Sequence, residues 1–178
     1  MNDEVQMDSA AAEEPVVSEQ EVQMAMEIFR SEQKLIPAAL AGFVASMIGA
    51  GIWAAVTVAT EYQIGWLAIG IGFLVGLTIR IVGKGIDQIF GAVSAVLSLF
   101  GCVVGNVLTV AYFVAMNEGM EFMDVVSQLD FALSYELLVS TFQIMDVLFY
   151  GLAGYFGFKY AFRELTQDDF NRALGKSF

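Results

Sequence analysis

Residues 89–115 read IFGAVSAVLSLFGCVVGNVLTVAYFVA, an uninterrupted apolar run without Asp, Glu, Lys or Arg. About 20 apolar residues suffice to cross a hydrocarbon core ~30 Å thick, so this stretch spells a transmembrane helix. Three further long apolar runs, at about 36–59, 64–82 and 141–162, accompany it. The predicted fold is all-α: a polytopic membrane protein built as an antiparallel bundle of four transmembrane helices, with short amphipathic interfacial helices. Composition agrees, because 57% hydrophobic residues and a mean hydropathy of +0.66 exceed what a soluble domain carries.

The orientation follows from the cations. All eight basic residues, Arg30, Lys34, Arg80, Lys84, Lys159, Arg163, Arg172 and Lys176, fall on one side of such a membrane. Lys and Arg are retained on the cytoplasmic side, which predicts a multi-pass protein with both termini and the Lys84 loop in the cytoplasm. Glu61 and residues 118–136 then lie outside. The connections at Thr60-Glu61-Tyr62-Gln63 and Gly83-Lys84-Gly85 are short, so the first three spans are expected to be antiparallel neighbours. Trp53, Tyr62 and Trp66 are expected at the outer interface, where amphipathic rings are enriched.

Outside the spans, residues 1–17 are acidic, Ala-rich and without apolar periodicity, which predicts a disordered tail. Nine of the twenty acids lie between Asp3 and Glu32, so the net charge of −12 belongs largely to this region. An acidic tail beside an anionic leaflet argues against nucleic-acid binding. Residues 18–35 open with Ser18-Glu19-Gln20-Glu21, the form of a capping box, and carry Val22, Met26 and Phe29 at helical spacing. They are read as a cytoplasmic juxtamembrane amphipathic helix, either lying on the interface or, with the tail, offering residues 1–34 to a cytoplasmic protein partner. Pro37 suits the first turn of the first span. In the outer segment 117–140, Phe122, Val125, Val126, Leu129 and Leu133 form an apolar stripe expected to lie on the membrane surface. Residues 163–178 form a cytoplasmic C-terminal tail in which Thr166 begins a short helix. No basic region followed by a cleavage site opens the chain, so no signal peptide is expected.

The chain has no His and a single Cys, Cys102. Zinc chemistry, intrachain disulfides and His-dependent nucleophilic catalysis therefore lack their groups. An aspartyl protease needs two facing carboxylates, whereas Asp87 and Asp146 are expected at different depths. No enzyme, metal or cofactor is predicted.

Three groupings remain. Small residues recur in stripes, Gly42-Ser46-Gly49, Gly72-Gly76, Gly91-Ala95-Ser98-Cys102-Gly105 and Gly151-Gly154-Gly157, and let helices approach closely in lipid. They serve the bundle's own packing or, in part, a homo-oligomer seam. Arg80, Gly83, Lys84 and Gly85 combine cations with flexible backbone, and are read either as snorkelling topology signals or as a site for an anionic lipid phosphate. The spacing is not that of a Walker loop. Finally, Asn106, Thr109 and Asp146 place polar groups inside apolar runs. An ionised Asp there costs roughly 2.5–3.5 kcal/mol, so it should be protonated, paired or hydrated. The reading is either interhelical glue or an ion or proton site.

The combination of Trp53-Ala54-Ala55-Val56-Thr57, Tyr62-Gln63-Ile64-Gly65-Trp66-Leu67-Ala68-Ile69-Gly70, Arg80 with Gly83-Lys84-Gly85, Phe90-Gly91, Gly101-Cys102-x-x-Gly105-Asn106 and Met145-Asp146-Val147-Leu148-Phe149-Tyr150 resembles a family of small bacterial four-span membrane proteins of unknown function. The resemblance covers roughly residues 36–160 and implies the fold and a bacterial inner-membrane setting, but no mechanism. The expected function is that of a non-enzymatic scaffold or accessory subunit that binds membrane lipids. The alternative is a small oligomeric ion channel or proton- or cation-coupled transporter using Asp146 and Asn106.

Overall fold

The computed structural model describes residues 18–62 and 64–175; the expected disordered tail, 1–17, lies outside them. Every regular element among the described residues is a helix: α1 (Glu19–Ser31), α2 (Leu35–Thr60), α3 (Trp66–Gly83), α4 (Gln88–Glu118), α5 (Phe122–Ser127), α6 (Phe131–Thr141), α7 (Ile144–Tyr160) and α8 (Gln167–Ala173). The described residues divide into two compact units, 18–29 with 165–175, and 30–164.

In the first unit, two helices start in the same way. The Ser18 hydroxyl accepts from the Glu21 amide at 3.3 Å while the Glu21 carboxylate accepts from the Ser18 amide at 3.0 Å. Thr166 and Asp169 repeat this exchange at 3.3 and 3.1 Å. Each exchange satisfies amides that a helix's first turn leaves without partners. Phe29 and Phe170 then meet edge to face, with ring centroids 5.3 Å apart.

The second unit holds the long helices. Three of them, α2, α3 and α4, are long and apolar enough to cross a membrane. Their construction inverts that of a water-soluble protein. On α2 a stripe of exposed side chains, Ile36, Leu40, Val44, Ile48 and Ile52, recurs every fourth residue beside exposed Leu35 and Phe43, whereas Ala38, Gly42, Ala45, Ser46, Gly49 and Ala50 are buried, with Trp53 the one large apolar side chain among the buried residues. Large apolar groups face outward and small ones inward, as expected where lipid rather than water surrounds the helix and close backbone approach holds it to its neighbours.

The run expected as a fourth span at 141–162 is shorter and bent. Phe142 and Gln143 adopt extended backbone, α7 begins only at Ile144, and its 17 residues turn 113° away from α6. The pair passes the length and composition test for a span only when α6 and α7 are joined across that break. Asp146 consequently stands in the first turn of a helix rather than within a continuous one.

α2 and α7 each pack against both α3 and α4, which also touch each other. A Cβ on Gly42 would lie 2.7 Å from Ile79, and one on Gly49 would lie 2.9 Å from Ile71, so α2 meets α3 with descending numbers. Gly101 faces Ser46 and Gly105 faces Trp53, so α2 meets α4 with ascending numbers. Along α3 and α7, Gly72 faces the Ala153 carbonyl and Gly76 the Gly157 carbonyl. The core contains Trp53, Ile71, Val75, Ile79, Phe90, Cys102 and Tyr150 among many alanines.

Two expectations about the outer end need correction. Trp53 is not interfacial: it is 1% exposed and packs between Gly105 and Tyr150, while Tyr62 and Trp66 are 75% and 72% exposed. Gly105 makes room for the indole that the sequence offered to the interface. The segment 117–140 is not a single surface helix either. It forms α5 and α6, both of which pack on α4, and Val125 joins Ala111 and Ala115 in a small second core. The 31 residues of α4 extend about 46 Å, beyond the ~30 Å of a hydrocarbon core, and its last turns supply Ala111 and Ala115 to the packing of Val125.

Candidate functional site

Two polar groupings stand out in the second unit, one at the turn around Lys84 and one inside the bundle around Tyr150. The turn arises because Lys84 adopts a left-handed conformation, φ 48°, directly after α3, and its amide returns to the Arg80 carbonyl at 3.1 Å. Gly85 follows because the Phe90 ring occupies the space a Cβ would need. The turn is then tied to its surroundings through both backbone and side chains. The Gly83 carbonyl accepts from the Lys34 amide at 2.9 Å, and the Gly85 carbonyl accepts from the Arg163 amide at 2.8 Å. Gln33 does the most: its side-chain oxygen accepts from the amides of Ile86 and Asp87 at 3.1 and 3.3 Å, and its nitrogen donates to Asp87 at 2.8 Å.

The cations of this region meet the protein's own acids. Arg80 pairs with Glu164 at 3.0 Å, Arg163 with Glu32 at 3.0 Å, Arg30 with Asp87 at 3.4 Å, and Lys84 with the same Glu32 at 3.9 Å. Of the four residues considered for a lipid phosphate, Gly83 and Gly85 thus present carbonyls to other segments, while Arg80 and Lys84 face carboxylates. Lys84 makes the longest of these pairs and its side chain is 56% exposed. Gln33, Glu32, Arg163 and Glu164 were not singled out from sequence. A polar residue beside a span looks like ordinary solvated surface until its partner, dozens of positions away, is brought next to it.

Inside the bundle, Asn106 and Asp146 are 2% and 6% exposed. They are not hydrogen-bonded to each other. The Asn106 amide donates to the Tyr150 hydroxyl at 3.3 Å, and that hydroxyl donates to the Cys102 carbonyl at 3.3 Å. Thr109 donates back to the Gly105 carbonyl of its own helix at 2.8 Å. Asp146 caps α7, one carboxylate oxygen accepting from the Gln143 amide at 2.8 Å, a placement favoured near the positive end of a helix. Tyr150 is the connecting residue that sequence reasoning passed over, although it lies one turn after Asp146 and shares its face with Ala153 and Gly157. It also meets Trp53 and Phe142 edge to face, with centroids 6.4 and 5.6 Å apart.

Two buried side-chain atoms in this unit have no hydrogen-bond partner among the described residues, Trp53 Nε1 and Thr57 Oγ1. Leaving a buried donor unsatisfied costs about 1–3 kcal/mol each, so they are notable in an otherwise paired interior. A further buried link, Ser94 to the Gly157 carbonyl at 2.7 Å, fastens the start of α4 to the end of α7.

The glycines offered as packing positions divide clearly. Gly72 and Gly76 face backbone carbonyls, a Cβ on Gly91 would lie 2.7 Å from Phe158 and Phe162, and one on Gly105 would lie 3.1 Å from Trp53. A Cβ on Gly154 would make only ordinary contact with Leu99 at 3.7 Å, and one on Gly151 would meet nothing within 4 Å. Among the described residues no group of three or more His, Cys, Asp or Glu is placed to hold a metal ion. No family model, no curated protein and no solved structure matches this chain.

Proposed function

We propose that the chain is a non-enzymatic membrane scaffold or accessory subunit of a bacterial inner membrane. In this reading α2, α3, α4 and α7 cross the membrane as an antiparallel bundle, with the Lys84 turn and both termini in the cytoplasm. The descending register of α2 on α3 and the ascending register of α2 on α4 support that arrangement. A fourth crossing by α7 is short: its 17 residues extend about 26 Å, slightly less than a ~30 Å core. Mismatch of that size is accommodated by local thinning or by flanking residues that reach the interface.

The observation that carries the scaffold reading is the closeness of the seams. Where Gly72 meets the Ala153 carbonyl and Gly105 meets Trp53, the space between helices is filled by backbone and ring, which suits a rigid platform. Residues 1–34 are the segment offered to a cytoplasmic partner. Lys84 is the contact for an anionic lipid headgroup, which would compete with Glu32 for its ammonium. The competing reading, a channel or coupled transporter through Asn106 and Asp146, would use a carboxylate that already spends one oxygen on the Gln143 amide.

Single cysteines placed at Gln128 and Ser177, labelled from each side of the membrane in turn, test the topology. Labelling from opposite sides is expected; labelling of both from one side removes the proposed orientation. Pull-downs of the full chain and of one lacking residues 1–34 test the partner segment, and identical recovery from both ends that part of the proposal. Loss of ion flux in Asp146→Asn, with folding intact, would replace the scaffold by the transporter.

A further inference from the structure

We propose that the bundle holds a buried water site between Trp53 and Thr57 on α2, Asn106 and Thr109 on α4, and Asp146 on α7, in which water links polar groups of three helices that do not bond one another directly. The site does not depend on the scaffold reading. Its starting point is the pair of orphan groups. Trp53 Nε1 and Thr57 Oγ1 lack partners, their residues are 1% and 3% exposed, and they stand one turn apart on the buried face of α2.

The registers bring the complementary groups to the same level. Gly105 faces Trp53, so one turn further along these two helices Thr57 is level with Thr109. Across α4, Asn106 reaches Tyr150, and the residue one turn before Tyr150 on α7 is Asp146. Thr109 spends its proton on the Gly105 carbonyl and keeps acceptor capacity. Asp146 uses one carboxylate oxygen on the Gln143 amide, which leaves the other to accept. The layer therefore combines an indole N–H that can only donate with hydroxyl and carboxyl oxygens that can accept.

That mixture selects the ligand. A metal cation cannot be coordinated by an indole N–H, and an anion would face the Asp146 carboxyl group. Water accepts from the indole and donates toward Asp146 or Thr109 at once, and buried waters characteristically make two to four such bonds to groups that lack other partners.

The test uses the full chain in lipid nanodiscs with 15N-labelled tryptophan. Two indole N–H signals are expected, and the Trp66→Phe variant identifies the one belonging to Trp53. The Trp53 signal should show a cross-peak to water and should resist broadening by a water-soluble gadolinium chelate that broadens Trp66. Thr57→Val, which keeps the side-chain shape and removes the hydroxyl, should weaken or abolish that cross-peak. Absence of the cross-peak in the unaltered chain overturns the site. Broadening of Trp53 together with Trp66 overturns it as well, by showing contact with bulk water, and an undiminished cross-peak in a folded Thr57→Val protein refutes the bridge.

Discussion

The Lys84 turn and the Tyr150 layer both join separate helices through polar side chains, and they do so with different chemistry. At the turn the links include, beside the Gln33 and backbone hydrogen bonds, four ion pairs on side chains that remain partly in water, up to 80% exposed for Glu164. Pairs of that kind contribute about 0–1 kcal/mol each, because water and salt screen them. Around Tyr150 the interhelical links are hydrogen bonds between neutral side chains and to the Cys102 carbonyl, and the one carboxylate is held by its own helix start. Hydrogen bonds there are few but each is harder to lose, since a buried group left without its partner costs about 1–3 kcal/mol. Charge is concentrated where solvent can relieve it, and neutral polarity where it cannot.

Gly72→Leu should have the largest effect on this bundle, because the new side chain must displace the Ala153 backbone; overpacking of this kind costs about 1–3 kcal/mol or more. Thermal unfolding in detergent reads it, and Gly151→Leu, which meets nothing within 4 Å, should leave the melting temperature unchanged in a monomer. A large loss for Gly151→Leu would instead place a second copy against that face. Asn106→Leu removes a donor from the buried layer and should cost about 1–3 kcal/mol with little dependence on salt. Gln33→Ala releases two backbone amides and Asp87 at the turn; because these can rehydrate, a loss of about 1 kcal/mol is expected. Glu32→Gln should be the mildest, about 0–1 kcal/mol, and should vanish at high salt. A salt-sensitive Asn106→Leu, or a salt-insensitive Glu32→Gln, would break the distinction between the two regions.

Much of the helical layout is legible in the sequence. Apolar length identifies α2, α3 and α4, and the Ser18 and Thr166 starts are local patterns closed within three residues. The break before Ile144 is not legible, since Ser140, Thr141 and Gln143 only thin an apolar run that resumes at Ile144, and the 113° bend shows only in the structure, where α6 packs on α4. Trp53 misled because an aromatic residue near a span end suits an interface or a core equally well. What distinguishes the two is Gly105, on another helix, whose missing side chain admits the ring. In the candidate sites, Arg80, Lys84, Asn106 and Asp146 could be noticed as polar exceptions, whereas Gln33, Glu32 and Tyr150 acquire meaning only from their partners.

The sequence by itself determined the helices, their outward apolar faces and the inward stripes of small residues, because these depend on side-chain polarity repeated along one segment. Only the tertiary structure decided that Asn106 bonds Tyr150 rather than Asp146, that Gln33 holds the Lys84 turn, and that Trp53 and Thr57 keep unpaired groups in the interior. Those outcomes depend on which helix lies beside which and at what register, and a hydrogen bond formed or missed across a seam is set by ångström-scale distances between residues far apart in the chain.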